Sequence, residues 1–476
     1  MKQKRAHLDY KKKISRLTFG SCNNQRELQP VWDTILNRSP DLFVWLGDIV
    51  YADHPVFLKI RIPGTTSDVK ESYKMQIDNH IGYRSLMSSI PIVGVYDDHD
   101  MGVNDADKYT PDDNKRGAQQ LLLDFLDVDD IERRERVGAY SGYTIGSSND
   151  GVLQLILLDN RYHRDRYESW FWPLSIPLLE NQPRQDILGR DQWVWLEEKL
   201  KEGSKIGSNP ADILVLGSGI QIVSRNDPWV AESWNKLPQS RAKLLSLLAL
   251  YNRSAVFISG DVHFAEISKI DCAFLGYTLF EATASGLTHS WNGFLKRLVV
   301  GNSLLTTNRV VSAALSRHSK FWLGQTGWYN DKNYGEIDFD FQNKNLTLRL
   351  LSINGISQIE QVVSISHLRP RFGGLYRNMS TMTDIQECAH ARVDIGLTPA
   401  CKRLLSQCYP QPVIEESIFY FTWHIAVGGA MVSIALIMFL GPIFAYLYRH
   451  DKRVGSSTTL LILLWAIVVG YFKMLH

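Results

Sequence analysis

Several short apolar runs in this sequence stop abruptly at acidic residues. The three clearest are Phe43-Val44-Trp45-Leu46 before Gly47-Asp48, Ile92-Val93-Gly94-Val95-Tyr96 before Asp97-Asp98-His99-Asp100, and Ala255-Val256-Phe257-Ile258-Ser259 before Gly260-Asp261-Val262-His263. Apolar runs of this length are typical of strands that are buried on both faces. The pattern therefore predicts a sheet whose strands end in ionisable groups.

Six candidate strands precede residue 260, separated by stretches long enough for helices. They are Leu17–Phe19, Leu42–Leu46, Ile92–Tyr96, Val152–Leu158, Ile213–Leu216 and Val256–Ile258. One connecting stretch predicts a helix over Gln192–Leu200, with Asp191 as its N-cap and Gly203 at its end. This order predicts an α/β fold with a mostly parallel sheet covered on both faces. The segment Glu336–Ser364 alternates apolar and polar residues, which predicts antiparallel strands at the sheet edge or in a second sheet.

The carboxylates that follow the strands predict a metal site. In open α/β sheets the carboxyl ends of the strands form the ligand crevice, so groups far apart in sequence meet there. Carboxylate and imidazole groups bind hard and borderline cations. A single Gly-Asp pair is more typical of a turn, but the three carboxylates within Asp97–Asp100 repel one another unless a cation offsets their charge. Jointly, the three strand ends favour metal binding.

Two further strand ends supply polar groups of other kinds. Cys22 follows the first strand, where a thiolate near cations could bind iron or zinc; a small buried apolar role is the alternative. Arg161 follows the middle strand and suits a bidentate grip on a phosphate or carboxylate. A structural salt bridge to Asp159 or to another neighbouring acidic residue is the alternative for Arg161.

The ordered set of these motifs resembles the PhoD-like (alkaline phosphatase D) metallophosphatases of the calcineurin-like metallophosphoesterase superfamily. The motifs are Phe19-Gly20-Ser21-Cys22, Leu46-Gly47-Asp48-Ile49-Val50-Tyr51, Tyr96 to Asp100, Leu158-Asp159-Asn160-Arg161 and Gly260 to His263, with secondary matches at Leu188 to Leu196, Leu216 to Gln221, Glu232-Ser233-Trp234 and Arg241. The likeness runs from about Leu17 to Gly286. It implies a metallophosphoesterase-like β-sandwich flanked by helices. The family's usual Gly-Tyr is replaced around Ser233-Trp234, which leaves the pocket rim and the substrate open.

The resemblance also implies a phosphatase with two or more metal ions, Fe(III) together with Ca(II). Carried over motif by motif, the iron position matches Cys22, Asp48, Tyr51 and His263, and the calcium side matches Asp97, Asp98 and Asp261, with Asn104 a weaker candidate. Zinc or manganese is also compatible with these ligand types.

Two residues receive catalytic roles from the same resemblance. Arg161 would hold the non-reacting phosphate oxygens. His99 would donate a proton to the leaving oxygen or orient a ligand, and we favour the orienting role. The expected reaction is hydrolysis of a phosphate ester by metal-activated water, which requires no protein nucleophile.

The C-terminal residues 417–476 predict a membrane hairpin. No Asp, Glu, Lys or Arg occurs from Ser417 to Tyr448, and a second uncharged stretch covers residues 454–472. A membrane-spanning helix needs about 20 apolar residues, so we expect spans at about 418–448 and 456–474. The alternatives are a buried core helix for the first stretch and an interfacial helix for the second.

The charges that flank the first span predict its orientation. Glu415 and Glu416 precede it and the basic residues Arg449, Lys452 and Arg453 follow it, so the positive-inside rule places the loop in the cytosol and the catalytic domain in the lumen or outside the cell. Residues 1–10 contain no apolar signal segment. Either the first span therefore directs insertion or the N-terminus is incomplete.

The resulting organisation has four parts. They are a basic tail at residues 1–16, a PhoD-like domain at 17–365, a cysteine-containing juxtamembrane segment at 366–416 and the membrane hairpin at 417–476. Four cysteines allow two disulfides in three pairings, and three asparagines begin glycosylation tripeptides; these residues are Cys272, Cys388, Cys401 and Cys408, and Asn252, Asn345 and Asn378. Both features agree with a lumenal domain.

Composition narrows the choice of partners. Lys and Arg total 52 against 50 Asp and Glu, and this near balance gives no reason to expect a nucleic acid. We predict a membrane-anchored phosphatase or phosphodiesterase whose phosphate-ester substrates include lipid-linked phosphates. The alternative is a catalytically inactive membrane receptor or scaffold on the same fold. The intact carboxylates favour the enzyme, because an inactive protein has no physical need to keep groups that repel one another.

Overall fold

Two mixed β-sheets form the centre of the fold. The computed structural model describes residues 4–57, 60–166, 186–224, 232–290, 327–368 and 379–409, all within one unit of the chain that comprises Met1–Glu168 and Leu178–Tyr409. The strands are β1 Arg16–Gly20, β2 Leu42–Leu46, β3 His54–Phe57, β4 Ile60–Ile62, β5 Ile92–Val95, β6 Ser141–Ser147, β7 Gly151–Leu158, β8 Ile213–Ser218, β9 Ala255–Ser259, β10 Ala265–Cys272, β11 Tyr277–Ala284, β12 Trp328–Tyr329, β13 Asn333–Asp340, β14 Asn345–Ser352 and β15 Ser357–Ser364.

The helices lie between these strands and after them. They are α1 Val31–Asn37, α2 Thr66–Asn79, α3 Ile81–Ser89, α4 Asp112–Phe125, α5 Ile131–Glu135, α6 Arg190–Glu202, α7 Pro238–Leu250, α8 Met379–His390 and α9 Pro399–Cys408, with short 3-10 turns at His99–Met101, Trp234–Lys236 and Val393–Ile395.

The two sheets agree with the β-sandwich that the resemblance implies, and they differ from the mostly parallel sheet that the apolar runs alone predict. One sheet has the order β15-β14-β13-β1-β2-β5 and the other β12-β10-β11-β9-β8-β7-β6. β1, β2 and β5 are parallel, as are β7, β8, β9 and β11, while the remaining pairs are antiparallel. A continuous apolar run indicates a strand that is buried on both faces. A strand between a helix layer and a second sheet is also buried on both faces, so the run does not distinguish the two arrangements. The predicted antiparallel strands at Glu336–Ser364 are confirmed as β13 to β15, at the edge of the first sheet.

The two sheets pack against each other and helices cover their outer faces. β11 contacts β13 and β14, and β5 contacts β7, so the sheets are stacked. On the outer face of the first sheet, Trp32 of α1 and Tyr83 of α3 have ring centroids 5.0 Å apart, and Trp32 lies 5.5 Å from Trp45 of β2. This aromatic packing fixes the strands whose ends carry the acidic residues.

Helix α6 begins earlier than its sequence signals predict. Gly189 occupies the N-cap position, and Asp191 lies in the first turn, so the prediction of Asp191 as the cap is wrong. A carboxylate in the first turn interacts favourably with the helix dipole, so an aspartate suits the first turn as well as the N-cap position. Gly203 is confirmed as the residue that ends the helix.

Helices α8 and α9 form a disulfide-linked pair against α7. One disulfide joins Cys388 to Cys401, and a second joins Cys272 of β10 to Cys408. Gln239 of α7 accepts a hydrogen bond from the Thr398 N–H at 2.9 Å. The part of the predicted juxtamembrane segment that the structure describes is thus covalently tied to the second sheet.

In the part of the chain that the structure describes, no helix is long and apolar enough to cross a membrane. The predicted spans at about 418–448 and 456–474, and the glycosylation candidate Asn378, lie outside the described residues. Asn252 and Asn345 are described and half-buried, and their glycosylation stays a prediction.

Candidate metal centre

The carboxyl ends of strands from both sheets meet in one cluster of side chains. The loops after β1, β2 and β5 carry Cys22, Asp48 and Asp97–His99, and the loop after β9 carries Asp261 and His263. Ligand atoms of Asp48, Asp98 and His99 lie within 4.8 Å of one another. The same limit holds for Asp97, Asp98 and Asp261. Asp98 belongs to both groups, so carboxylates that are widely separated in sequence share one cluster.

Asp48 connects the thiol and phenol groups of this cluster. Its Oδ2 atom accepts a hydrogen bond from the Tyr51 hydroxyl at 2.9 Å and lies 3.4 Å from Cys22 Sγ. All three side chains are buried. A thiol, a carboxylate and a phenol therefore face one buried position.

His263 lies nearby in the loop after β9, although among the described residues the ligand atoms of Cys22, Asp48 and His263 are not all within 4.8 Å of one another. Its backbone N–H donates to Ser285 Oγ at 2.7 Å. Its ring centroid lies 4.7 Å from that of His289, and His289 Nε2 lies 2.9 Å from the Tyr51 hydroxyl oxygen.

Four of the predicted ligands have a left-handed backbone conformation. Their φ angles are 58° for Cys22, 48° for Asp48, 70° for Asp261 and 59° for His263. Residues with a Cβ rarely adopt this region, and each instance costs about 1–3 kcal/mol unless the surroundings impose it. Such residues concentrate at functional sites, so their grouping at these strand ends is independent support for one.

Arg161 is fully buried among the carboxylates. Its guanidinium donates short hydrogen bonds to Asp97 and Glu232. Its Nη2 atom makes no hydrogen bond to any described residue, and lies 3.6 Å from Asp98 Oδ1 and 3.7 Å from Asp261 Oδ1. The positive charge of Arg161 thus offsets part of the repulsion within the cluster.

Hydrogen bonds of the Asp159 and Gln192 side chains fix the turn that carries Arg161. Asp159 Oδ1 accepts from the Arg161 backbone N–H at 2.9 Å. The Gln192 side chain accepts from the Asp159 N–H and donates to the Asp159 carbonyl, both at 2.9 Å. Asp159 therefore holds the backbone of Arg161, while other carboxylates hold its guanidinium.

His99 stacks on Tyr51 at the edge of the cluster. The two ring centroids are 4.2 Å apart, and His99 Nδ1 lies 3.0 Å from Asp53 Oδ2. Burial by itself lowers the pKa of His99, but the charges of Asp98 and Asp48 outweigh it and raise the pKa to about 10. Asp53 thus fixes the orientation of the His99 ring, and the surrounding carboxylates favour its protonated form.

The carboxylates of the cluster cannot all ionise easily in the protein alone. Burial raises the pKa of Asp48 and of Asp261 well above the usual value, and repulsion from Asp97 adds to both. Burial also raises the pKa of Asp97 to about 6, although Arg161 opposes the shift. Cations bound nearby would reverse these shifts.

The residues present fit a site for more than one metal ion. Asp48 Oδ1, Asp97 Oδ2 and Asp98 Oδ1 are buried, and within the described residues they make no hydrogen bond. A buried acceptor without a donor is costly, and a bound cation would satisfy all three oxygens. Carboxylate oxygens suit calcium, whereas thiolate and imidazole suit iron or zinc.

The fourth residue of the acidic run has a different place from the first two. Asp100 accepts from the backbone N–H groups of Ile49, Val50 and Asp97 at 3.3, 3.0 and 2.9 Å, and from the Tyr73 hydroxyl at 3.3 Å. It therefore ties the loop of Asp48 to the loop of Asp97. The sequence could not divide this run into ligands and a structural residue.

Asn104 is half-buried in the loop that follows Asp98. The next residue, Asp105, donates its backbone N–H to Asp98 Oδ2 at 2.6 Å. Ligand atoms of Asp98, Asp105 and Glu232 lie within 4.8 Å of one another. Sequence reasoning gave Glu232 no role although it stands in a matched motif, and Asp105 offered no signal beyond an acidic loop.

The fold and the cluster together define a metal-dependent phosphoester hydrolase. A family model for PhoD-like phosphatases matches residues 17–350. The chain belongs to the PhoD-like phosphatase family, which confirms the resemblance read from the motifs.

A solved structure described as the structure of PhoD is similar in fold. The TM-score is 0.50 at 16% sequence identity, and the alignment covers 76% of this chain and 69% of that chain. At this identity the likeness concerns the fold alone. A comparison with curated proteins found no match.

Proposed function

We propose that this chain hydrolyses phosphate mono- or diesters, with Fe(III) held by Cys22, Asp48, Tyr51 and His263. In the same proposal Ca(II) is held by Asp97, Asp98 and Asp261, and Asn104 is a weaker candidate. The observation that carries the proposal is the meeting of three buried carboxylate oxygens, on Asp48, Asp97 and Asp98, that make no hydrogen bond within the described residues. The Cys22 thiol and the Tyr51 phenol both contact Asp48 Oδ2.

The chain's own residues have separate tasks in this reaction. When bound, the cations neutralise the ester oxygens and lower the pKa of a coordinated water. Arg161 offers its Nη2 donor, which makes no hydrogen bond within the described part of the chain, to a non-reacting phosphate oxygen. His99 takes an orienting role in this proposal, because its ring lies 4.2 Å from that of Tyr51 and Asp53 holds its Nδ1 at 3.0 Å. The carboxylates would hold the ions, and Asp100 keeps the loops that carry Asp48 and Asp97 together.

The rim of the site supports lipid-linked phosphates as substrates. Arg26 is exposed and donates to the Tyr51 carbonyl at 2.9 Å, and the Arg61 guanidinium lies 5.4 Å from the centre of the Tyr51 ring. Leu28 and Ile62, near these arginines in sequence, are exposed apolar residues. Arg61 is also paired with Asp53, so Arg26 is the basic group that this proposal uses. An exposed arginine with exposed apolar residues near it in sequence suits an anionic headgroup on an acyl chain.

Membrane anchoring and a lumenal domain remain part of the proposal. The uncharged stretches at 417–448 and 454–472 support the anchor. The disulfides Cys272–Cys408 and Cys388–Cys401 support the lumenal or extracellular side, because disulfides persist in oxidising compartments. Protection of the domain from added protease in sealed vesicles tests the orientation, and full digestion there would contradict it.

Metal analysis combined with ester hydrolysis tests the proposed activity. The purified protein should contain iron and calcium and hydrolyse p-nitrophenyl phosphate or its bis ester, and the ratio of the two rates assigns the mono- or diester preference. Asp261→Ala or His263→Ala should remove metal and turnover together, with a rate loss beyond the about 10–100-fold expected for an outer hydrogen-bond partner. Asp129→Ala, at an exposed aspartate, is the matched control. Two bound metals without turnover on any ester would favour the receptor or scaffold instead.

A further inference from the structure

The segment that follows β11 lies against the predicted iron ligands. Ser285, Thr288 and His289 belong to this segment, and sequence reasoning assigned none of them a role. The Leu287 N–H donates to the Ser21 carbonyl at 3.2 Å, and the Thr288 N–H donates to the Cys22 carbonyl at 3.3 Å. The segment therefore crosses from the second sheet to the loop after β1 in the first.

Ser285 joins two of the ligands through one oxygen atom. Its hydroxyl oxygen accepts from the His263 backbone N–H at 2.7 Å and lies 2.9 Å from Cys22 Sγ. Its own N–H donates to the Phe264 carbonyl at 3.2 Å, and the side chain is fully buried. The positions of the Cys22 thiol and of the strained His263 turn thus depend on the same hydroxyl.

Thr288 and His289 act on the third ligand. The Thr288 hydroxyl oxygen accepts from the Asn24 N–H at 2.7 Å and lies 3.2 Å from the Cys22 carbonyl oxygen and 3.0 Å from His289 Nδ1. His289 Nε2 lies 2.9 Å from the Tyr51 hydroxyl oxygen.

Counting protons assigns the direction of the bond to Tyr51. The Tyr51 hydroxyl donates its one proton to Asp48 Oδ2. His289 Nε2 is therefore the donor to the Tyr51 oxygen, and Nδ1 lies beside the Thr288 hydroxyl, which donates to the Cys22 carbonyl oxygen at 3.2 Å. The same N–H can donate to the phenolate oxygen when Tyr51 has lost its proton, so this tautomer serves both states.

We propose that Ser285, Thr288 and His289 form a clamp that positions Cys22, His263 and Tyr51 around a single ion. This inference rests on the proposed function and deepens it, because the clamp would set how tightly the iron position binds its metal. These are positioning residues: Ser285 acts through Cys22 and His263, and His289 acts through the phenol oxygen of Tyr51. Outer hydrogen-bond partners of metal ligands have this effect in general.

The test compares the full-length protein with His289→Phe, His289→Gln and Ser285→Ala. Glutamine retains an N–H donor near the position of imidazole Nε2, whereas phenylalanine retains only the ring. Iron affinity is measured by competition with a chelator. The visible charge-transfer band of Fe(III)-phenolate reports the Tyr51 bond directly, and thermal unfolding of the metal-free forms reports folding. His390→Phe, at an exposed histidine of α8, is the matched control.

We expect His289→Phe and Ser285→Ala each to weaken iron binding about 10–100-fold, and His289→Phe to shift the band. His289→Gln should restore both properties, and His390→Phe should change neither. Unchanged affinity and an unchanged band in His289→Phe and Ser285→Ala would overturn the clamp, even if the unmodified protein binds iron. If His289→Phe does not fold, Ser285→Ala decides by the same affinity measurement. Absence of iron binding by the unmodified protein would overturn the proposed iron site, and the clamp with it.

Discussion

Replacement of Arg161 by methionine should make the stability of the protein depend on bound cations. Methionine keeps much of the apolar stem of arginine and removes its charge. In the structure Arg161 Nη2 lies 3.6 Å from Asp98 and 3.7 Å from Asp261, and the guanidinium also pairs with Asp97. At an effective dielectric constant of about 20, each such charge pair corresponds to about 4–5 kcal/mol of attraction. Without Arg161, bound cations must offset a larger share of the repulsion among these carboxylates.

The expected magnitude follows from the cost of a buried charge that loses its partner. Removal of one partner of a buried ion pair costs about 3–5 kcal/mol. A region as long as the family match at residues 17–350 unfolds with an entropy of roughly 0.7 kcal/mol/K, so the melting midpoint of the metal-free variant should fall by about 4–7 °C. Added calcium should restore most of this loss, because it neutralises the same oxygens.

Thermal unfolding followed by circular dichroism, with and without a chelator, measures this effect. Arg253→Met is the matched control, since Arg253 is also buried but donates to the Gln154 side chain at 2.7 Å and the Leu200 carbonyl at 3.5 Å. The control should lose stability equally in both conditions. An equal effect of the chelator on Arg161→Met and on the unmodified protein would refute the reasoning.

Three further predictions concern residues around the site. Asp100→Ala leaves buried donors unsatisfied and should lower the free energy of unfolding by about 3–6 kcal/mol, as measured by denaturant unfolding. It should also lower the cation content measured by elemental analysis, and a folded variant with full cation content would contradict this. Gln192→Leu frees the turn of Arg161 and should raise KM for p-nitrophenyl phosphate about 5–30-fold, whereas a fall in kcat alone would argue against it. The double substitution Cys272→Ser and Cys408→Ser should lower the free energy of unfolding by about 2–4 kcal/mol in urea titrations. Activity at 25 °C should be retained, because this disulfide lies at the end of β10 that is remote from His263. A folded but inactive variant would contradict the expectation that the disulfide does not affect the site.

The local elements of the fold could be predicted because each has a local cause. β2 coincides with the predicted Leu42–Leu46, and β9 extends the predicted Val256–Ile258 by one residue at each end. An apolar run must be buried wherever it lies, so its length and limits are visible in the sequence. The pairing partners were not visible in the runs, which favoured a mostly parallel sheet; only the resemblance implied the two-sheet sandwich that the structure has.

The residues of the candidate site were likewise only partly predictable from the sequence. The resemblance assigned Cys22, Asp48 and His263 to one position, and the structure brings their loops to one end of the sandwich. His289 was missed because a lone histidine beyond a strand carries no motif, and its meaning depends on the Tyr51 hydroxyl 2.9 Å away. Asp100 was grouped with Asp97 and Asp98, although it binds backbone N–H groups.

The sequence by itself determined which chemical groups follow the strands. A buried strand must end where the chain turns polar, and in this chain the residues at those ends are acidic. Only the tertiary structure decided which of these groups face one another. That outcome depends on distances of a few ångströms between loops of two different sheets, and on Arg161 and Asp100, which hold like charges together. Electrostatic energy varies with such distances and with burial, and neither is written in the order of the residues.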